Sequence, residues 1–272
     1  MGPDTVAADD HALVSALAVE RFGVVSARRP AKLRARLRAH ALRDLRQYCQ
    51  LLRRSNDADE EWGLFADAVT NSETFLFRGA NQLDALVTLL PSLAVRGRPL
   101  RVLSAGCATG EEAYSAAAVL AAHARHLRGG FEVVGLDIST PRLAVASAGR
   151  YASDQIRLGH SAAGVMLDAH FERDGTSWRP RPALRRHVSF RVGNLAGDAD
   201  LGRFDVVFCR NVLIYAHDDA WPRFLRTLER ALVPGGYLFL GDSESLHGRT
   251  TRLALRRLAT HFAYQLPCPS AS

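Results

Sequence analysis

The chain has 272 residues, 47% of them hydrophobic and 23% charged, with a formal net charge of +7. That composition is globular, and the length allows one large domain or two modest ones with a real core. It excludes several classes: no apolar run approaches the roughly 20 residues of a membrane span, the start lacks a signal-peptide pattern, and Cys49, Cys107, Cys209 and Cys268 are too dispersed for a zinc site or a disulfide framework. A cytoplasmic protein with free thiols and no metal is expected.

Residues 1–12 are small, acidic and Pro/Gly-containing, and read as a disordered tip. From about His11 to Arg54 the pattern is helical. Leu33, Leu37, His40 or Ala41, Leu42, Leu45, Cys49 and Leu52 recur at three- and four-residue spacings, and Pro30 marks a helix start. Between Ser26 and Arg54 stand ten Lys or Arg residues against one acid, Asp44. Residues 55–59 form a polar break, another short helix begins at Trp62, and the helical part ends near Arg78. Residues 13–79 are therefore expected to form an N-terminal helical domain and 80–99 a linker helix.

After Pro99, strands and helices alternate. Leu100–Ser104, Phe131–Leu136, Val188–Val192, Phe204–Phe208, Tyr237–Leu240 and Phe262–Leu266 read as strands. Helices are expected over Glu111–Leu127, about Thr140–Ala148 and Ala220–Leu232, the last closed by a turn at Pro234-Gly235-Gly236. The fold class implied is α/β, a mostly parallel Rossmann-like sheet over residues 100–272 with helices on both faces. Residues 168–187, rich in Arg and Pro, read as a small β-subdomain inserted in it.

The strand at Leu100 runs into Gly106-Cys107-Ala108-Thr109-Gly110 and then a helix at Glu111. Strand, glycine turn and helix start make a landing place for a nucleotide-like cofactor, because glycines allow close approach and the first helical N–H groups are free donors. Glu111 and Glu112 would repel a pyrophosphate, and the third glycine of the dinucleotide fingerprint is absent. An adenosyl cofactor carrying a cation fits better, which points to S-adenosylmethionine. Asp137, closing the second strand, can accept both ribose hydroxyls. Asn194, followed by Leu195, has a side-chain amide suited to an adenine edge, or to a simple turn. Phe204–Tyr215 takes a strand into Arg210 and Asn211 and then an aromatic hydroxyl, which places Asn211 and Tyr215 where a methyl group would be transferred. Earlier in the chain, Thr74 and Arg78 are expected on one helical face, with Arg78 able to grip a carboxylate of either the cofactor or the substrate.

Three blocks of residues carry a family resemblance. Thr74-Phe75-Leu76-Phe77-Arg78 resembles T-x-F-F-R, Gly106 to Ser115 resembles G-x-x-x-G-E-E-P-Y-S, and Phe208 to Tyr215 resembles F-C-R-N-V-x-I-Y. These are the motifs of the CheR-type chemotaxis receptor methyltransferases, and the match runs in order from about Phe22 to Leu266. The resemblance implies methyl transfer from S-adenosylmethionine to receptor glutamates, giving glutamyl methyl esters and S-adenosylhomocysteine. It implies cofactor contacts from Ser72, Thr74, Arg78, Gly106, Gly110, Glu112, Asp137, Asn194, Leu195, Asn211 and Val212, with Arg78 and Tyr215 nearest the reacting centre. Departures are Ser72 for a frequent Asn, Gly79 for an acid, Ala113 for the motif Pro, and Asp242 for a common His.

A glutamate is already ionised at neutral pH, so the reaction needs positioning rather than a general base. The implied partner is the cytoplasmic coiled coil of a chemoreceptor, docked on the basic N-terminal helices. The segment between Phe171 and Arg179 is shorter than in family members that dock on a receptor tether, so the resemblance implies a tether-independent enzyme. A monomer is expected, with no membrane insertion and no nucleic-acid partner, since aromatic residues hardly interleave the arginines. The rival reading is a carboxyl methyltransferase for small molecules or other proteins built on the same cofactor domain.

Overall fold

The computed structural model describes residues 8–27, 29–56, 60–94, 97–157, 163–197, 200–259 and 261–268. Its centre is a seven-stranded sheet built from β1 (Leu100–Ala105), β2 (Phe131–Asp137), β6 (Val188–Val192), β7 (Phe204–Cys209), β8 (Leu232–Leu240), β9 (Ala254–Arg257) and β10 (Phe262–Gln265), in the order β6-β2-β1-β7-β8-β10-β9. β6, β2, β1, β7 and β8 run parallel, and the β9–β10 hairpin joins antiparallel to β8. The chain leaves β1 toward β2 and β6, then returns to β7 on β1's other side. That switch point opens a crevice at the carboxyl ends of the strands.

Both faces of the sheet are covered, which is why the central strands are buried along nearly their whole length. Leu103 and Ala105 of β1 face the layer of α1 (Ala8–Phe22), α2 (Pro30–Ala39), α3 (Leu45–Arg54), α4 (Glu60–Val69) and α10 (Trp221–Ala231). Leu100 and Val102 face α5 (Ala80–Leu93), α6 (Glu111–Ala122) and α8 (Ala163–His170). α7 (Thr140–Ala148) packs beside α4 and β6.

The expected strands are present within one or two residues, with three differences. The Pro234-Gly235-Gly236 segment lies inside β8 as an irregularity in its pairing with β7, so α10 passes directly into a strand. The helix expected to reach Leu127 ends at Ala122 and continues as a single 3-10 turn. β9, three of whose four residues are exposed, gave no clear alternation in the sequence. The small antiparallel sheet contains the expected hairpin, β4 (Phe171–Asp174) and β5 (Ser177–Pro180), but also β3 (Tyr151–Ala152), so it starts well before residue 168.

The expected disordered tip is partly corrected: α1 begins at Ala8, with Val14, Leu17 and Ala18 buried, while residues 1–7 lie outside the described residues. Of the polar break at 55–59, positions 57–59 also lie outside them. The single helical pattern from His11 to Arg54 resolves into α1, α2 and α3. It is broken at Ala41, whose φ of 52 is left-handed, and restarted by Asp44, whose carboxylate accepts the Gln47 N–H at 2.8 Å. Leu45, Tyr48, Cys49 and Leu52 are the buried stripe of α3.

Part of the basic charge of α2 is consumed internally. Glu61, 6% exposed, accepts Arg36 Nε at 2.8 Å and Nη2 at 2.6 Å, and the Tyr48 hydroxyl at 2.6 Å. Burial pushes its carboxyl up, but the hydrogen bonds from Arg36, Tyr48 and His40 more than offset this and hold it at about 2, against an ordinary 4.5. A depressed native value means the stabilisation is complete above 4.5 and is lost as pH falls toward 2, a loss of order 3 kcal/mol. Glu61→Gln should therefore lower unfolding stability at pH 7 by about 3 kcal/mol and flatten its dependence on pH between 5 and 2, measured by urea melts across that range.

Candidate active site

Four strand ends and one loop build the crevice. After β1 the chain turns through Gly106 (φ 79), Ala108 (φ 47) and Gly110 (φ 93) before α6. Gly106 needs that conformation and also the absence of a side chain, because a Cβ would collide with Val212. Its N–H and that of Cys107 donate to Leu136 O at 2.7 and 2.9 Å, which fixes the turn against β2.

Asp137 follows. Its Oδ2 accepts the Ala108 N–H and its Oδ1 the Ser139 N–H, both at 2.9 Å. The carboxylate lines the crevice and keeps acceptor capacity that suits a diol. Burial raises its carboxyl above the ordinary value, and the Arg142 charge works in the opposite direction.

The crevice has two connected chambers. One is largely apolar and is lined by Phe22, Val24, Asp137, Leu195, Val212 and Tyr215. The other is polar and is lined by Ser72, Thr74, Arg78, Glu112 and Arg210. Asn71, Gly106, Ala108 and Asn211 border both. Glu112 Oε1 accepts the Ser104 hydroxyl at 2.6 Å, and Oε2 pairs with Arg210 Nη1 at 3.1 Å. The Arg210 side chain is 4% exposed and its Nε has no hydrogen-bond partner among the described residues. A Cβ on Gly79 (φ 72) would collide with this guanidinium, so glycine there is what lets Arg210 lie flat under the chamber.

Of the sequence-predicted residues, the structure brings all but one to these chambers. Gly110 caps α6 but is walled in by Ala146, Phe190 and Tyr151 and lines neither chamber. The helix expected to carry Thr74 and Arg78 is absent. Residues 71–79 form an extended loop, bridged by Leu76 to Ile156 and turned at Phe77 (φ 62), and the loop rather than a helical face brings both residues to the polar chamber. Arg78 donates to Glu73 O at 2.7 Å and stacks on Phe75. Asn194 has both ends of its amide engaged: Nδ2 donates to Arg21 O at 2.7 Å and Oδ1 accepts the Ala196 N–H at 2.9 Å, leaving one amide hydrogen for a ligand. Asp242, at the end of β8, is exposed and receives Gln82 Nε2 at 3.3 Å.

The sequence reading missed Glu244, two residues beyond the Asp242 it singled out. Oε1 accepts the N–H groups of Val212 and Ile214 at 2.9 and 3.1 Å, and Oε2 those of Asn211 and Gly241, both at 2.7 Å. This knot ties the loop after β7 to the end of β8 and holds Asn211 at φ 57. Arg142, 5% exposed, was also missed. It joins α7 to the last turn of α4 through Asp67 Oδ1 at 3.0 Å and the carbonyls of Thr70 and Asn71 at 2.8 and 3.1 Å.

The donor set fits an elongated ligand with a flat, diol-bearing end and a zwitterionic end. Asp137 suits the diol, Glu112 an ammonium, and Arg78 a carboxylate. Together with the sheet topology, this defines an S-adenosylmethionine-dependent methyltransferase. Residues 72–262 match the family model described as CheR methyltransferase, SAM binding domain, and the chain belongs to that family. It is 38% identical over 193 residues to chemotaxis protein methyltransferase 1 of Pseudomonas aeruginosa, covering 68% of this chain and 70% of that protein. It is also 38% identical over 241 residues to a probable biofilm formation methyltransferase, WspC, of Pseudomonas putida. That match covers 85% of this chain but only 54% of the relative, so the chain spans about half its length.

Replacing Glu244 by Gln sets an NH₂ group against two of the four N–H donors whichever way the amide turns. Glu244→Gln should weaken S-adenosylhomocysteine binding by about tenfold or more, the scale of a charged hydrogen bond. Faster hydrogen exchange of the amides of Asn211, Val212 and Ile214, with the sheet amides unchanged, is the accompanying check.

Proposed function

We propose that this chain methylates glutamate side chains on the cytoplasmic coiled coil of a chemoreceptor, without needing a receptor tether, and that it does so in the cytoplasm as a monomer. No helix among the described residues is long and apolar enough to cross a membrane. The observation that supports the reading is the exposed basic charge of the helical layer, which reaches the site at Arg29. Arg29, just before α2, donates to Asn71 Oδ1 at 2.9 Å, and Asn71 borders both chambers. Along α2 and α3, Arg38, Arg43, Arg46 and Arg54 are exposed and have no carboxylate partner among the described residues. A Glu-rich helix would be attracted along such a face. The names of the relatives agree with a receptor-linked role, and the short β4–β5 turn supports tether independence.

When bound, S-adenosylmethionine supplies an electrophilic methyl group to an oxygen nucleophile. The chain's part is to bind and orient. Asp137, Leu195 and Val212 would hold the adenosyl end, and Thr74, Arg78 and Glu112 the amino-acid end. We take the domains to divide near residues 79 and 99, with α5 as the linker. The turn carrying Tyr215 is pinned to the α1–α2 connection by Val25 N–H to Tyr215 O and His217 N–H to Gly23 O, both 2.8 Å. Tyr215 would hold the acceptor carboxylate in line with the methyl group, with Arg78 next to the reacting centre. No group has to remove a proton, because the acceptor is already an anion at neutral pH.

A second reading, a receptor array that serves biofilm formation, is favoured by the longer match to WspC, which extends through 85% of the chain. Tritiated methyl transfer to receptor-enriched membranes, released by base as volatile methanol, tests the ester; a base-stable label would remove the glutamate reading. Tyr215→Phe should lower kcat about tenfold and leave S-adenosylhomocysteine affinity unchanged. Reversing Arg38 and Arg46 to Glu should raise KM for the receptor several-fold and flatten its salt dependence, with cofactor affinity unaltered, as steady-state assays at two ionic strengths would show.

A further inference from the structure

The phenol of Tyr215 belongs to a directed chain of hydrogen bonds. Asn71 sets its Nδ2 2.9 Å from Tyr215 Oη, while its Oδ1 lies 2.9 Å from Arg29 Nη2 and 2.9 Å from the backbone N of Ser72. The chemistry of the partners fixes the amide. A guanidinium and a peptide N–H can only donate, so the oxygen of Asn71 must face them and its NH₂ must face the tyrosine. An amide NH₂ can only donate as well. Tyr215 Oη therefore accepts from Asn71, and the phenol's own proton is directed elsewhere. Tyr215 also lines the apolar chamber beside Asn211, which opens to the polar one.

We propose that Asn71, polarised by Arg29, is a positioning residue for methyl transfer: it fixes Tyr215 as a hydrogen-bond donor to the acceptor carboxylate. The inference rests on the role given to Tyr215 above. Each member donates to the next, from guanidinium to amide, from amide to phenol, from phenol to carboxylate, and donation along such a chain strengthens each link. A chain that begins on a cation and ends on a donor is matched to an anionic acceptor. The phenol holds one carboxylate oxygen and leaves the other unbonded as the nucleophile, and no proton is transferred.

The test uses the full chain, with methyl transfer to receptor-enriched membranes, calorimetry of S-adenosylhomocysteine binding, and thermal midpoints on the same preparations. Asn71→Ala frees the phenol to rotate, and kcat falls about three- to tenfold, the worth of one hydrogen bond. Asn71→Asp keeps the acceptor for Arg29 and Ser72, so the fold persists, but the new carboxylate captures the phenol proton. Its kcat falls further, to the level of Tyr215→Phe, and combining the two substitutions lowers it no more. S-adenosylhomocysteine affinity and thermal midpoint stay at the parent values in all variants. An Asn71→Asp enzyme at least as fast as Asn71→Ala overturns the proposal, as does additivity with Tyr215→Phe or a parallel loss of S-adenosylhomocysteine affinity. If Tyr215→Phe itself transfers at the parent rate, the role of the tyrosine falls and the relay with it. That result is distinct from failure of the relay alone, in which Tyr215→Phe is slow and the two Asn71 variants are equal.

Discussion

The geometry of the site depends on one carboxylate. Four backbone N–H groups from the ends of β7 and β8 converge on Glu244, two on each oxygen. Where parallel strands stop, their last peptide groups lose ladder partners, and in a crevice that must stay open to a ligand there is no neighbouring strand to supply them. An anion that accepts all four satisfies them at once and costs the pocket no volume. Asp137 does the same on a smaller scale at the end of β2, taking Ala108 and Ser139 N–H. The loops after β1 and β7 can then hold Ala108 and Asn211 in left-handed conformations that an unsupported loop would relax out of.

The same reasoning explains how the helical layer is coupled to the crevice. Arg142 is nearly fully buried, and a guanidinium with five donors is costly there unless most are used. It uses them on Asp67 and on the carbonyls that end α4, where the last turn of a helix has no internal partners. Helix end and buried cation solve each other's problem. In consequence, the loop carrying Asn71, Thr74 and Arg78 starts from a point fixed to α7, beside Asp137. The cluster of Phe22, Trp62 and Phe65 seats the rest of the layer through ring contacts near 6 Å, those of Trp62 edge-on.

Much of this was legible in the sequence, and the failures have a common cause. Strands such as Phe131–Asp137 and Phe204–Cys209 are buried on both faces, so their continuous apolar runs announced them. Gly106, Asp137 and Asn211 stand at strand ends, where chemistry and position coincide. The loop at 71–79 misled because Thr74 and Arg78 are four apart, a helical spacing, and nothing local announces that Phe77 takes a positive φ. Glu244 and Asn71 were passed over because most of their partners are distant: three of the four donors to Glu244 lie 30 or more residues away, and Asn71 reaches Arg29 and Tyr215, 42 and 144 residues away. A residue whose task is to complete another segment's hydrogen bonds leaves no periodicity or spacing to read. Arg36 shows the converse: it reads as one more solvated charge on α2, and is instead the cation that keeps a buried Glu61 ionised.

The division of the crevice into an apolar and a polar chamber has its own electrostatic logic. On the function proposed above, methyl transfer from a sulfonium to a carboxylate consumes one charge of each sign, so a water-poor environment favours it. A zwitterionic amino-acid end, by contrast, demands ionic partners. The chain separates these needs by the width of the Gly106–Ala108 turn. Glu112, Arg210 and Arg78 stand on one side, Leu195, Val212 and the tyrosine ring on the other. Arg210 joins the two: buried against Gly79, it pairs with Glu112 beside the apolar wall. That arrangement requires glycine at position 79, since a side chain there would displace the guanidinium. Among the described residues Glu112 is the carboxylate paired with Arg210, which ties the ion pair at the base of the chamber to the residue proposed above for the cofactor's ammonium group.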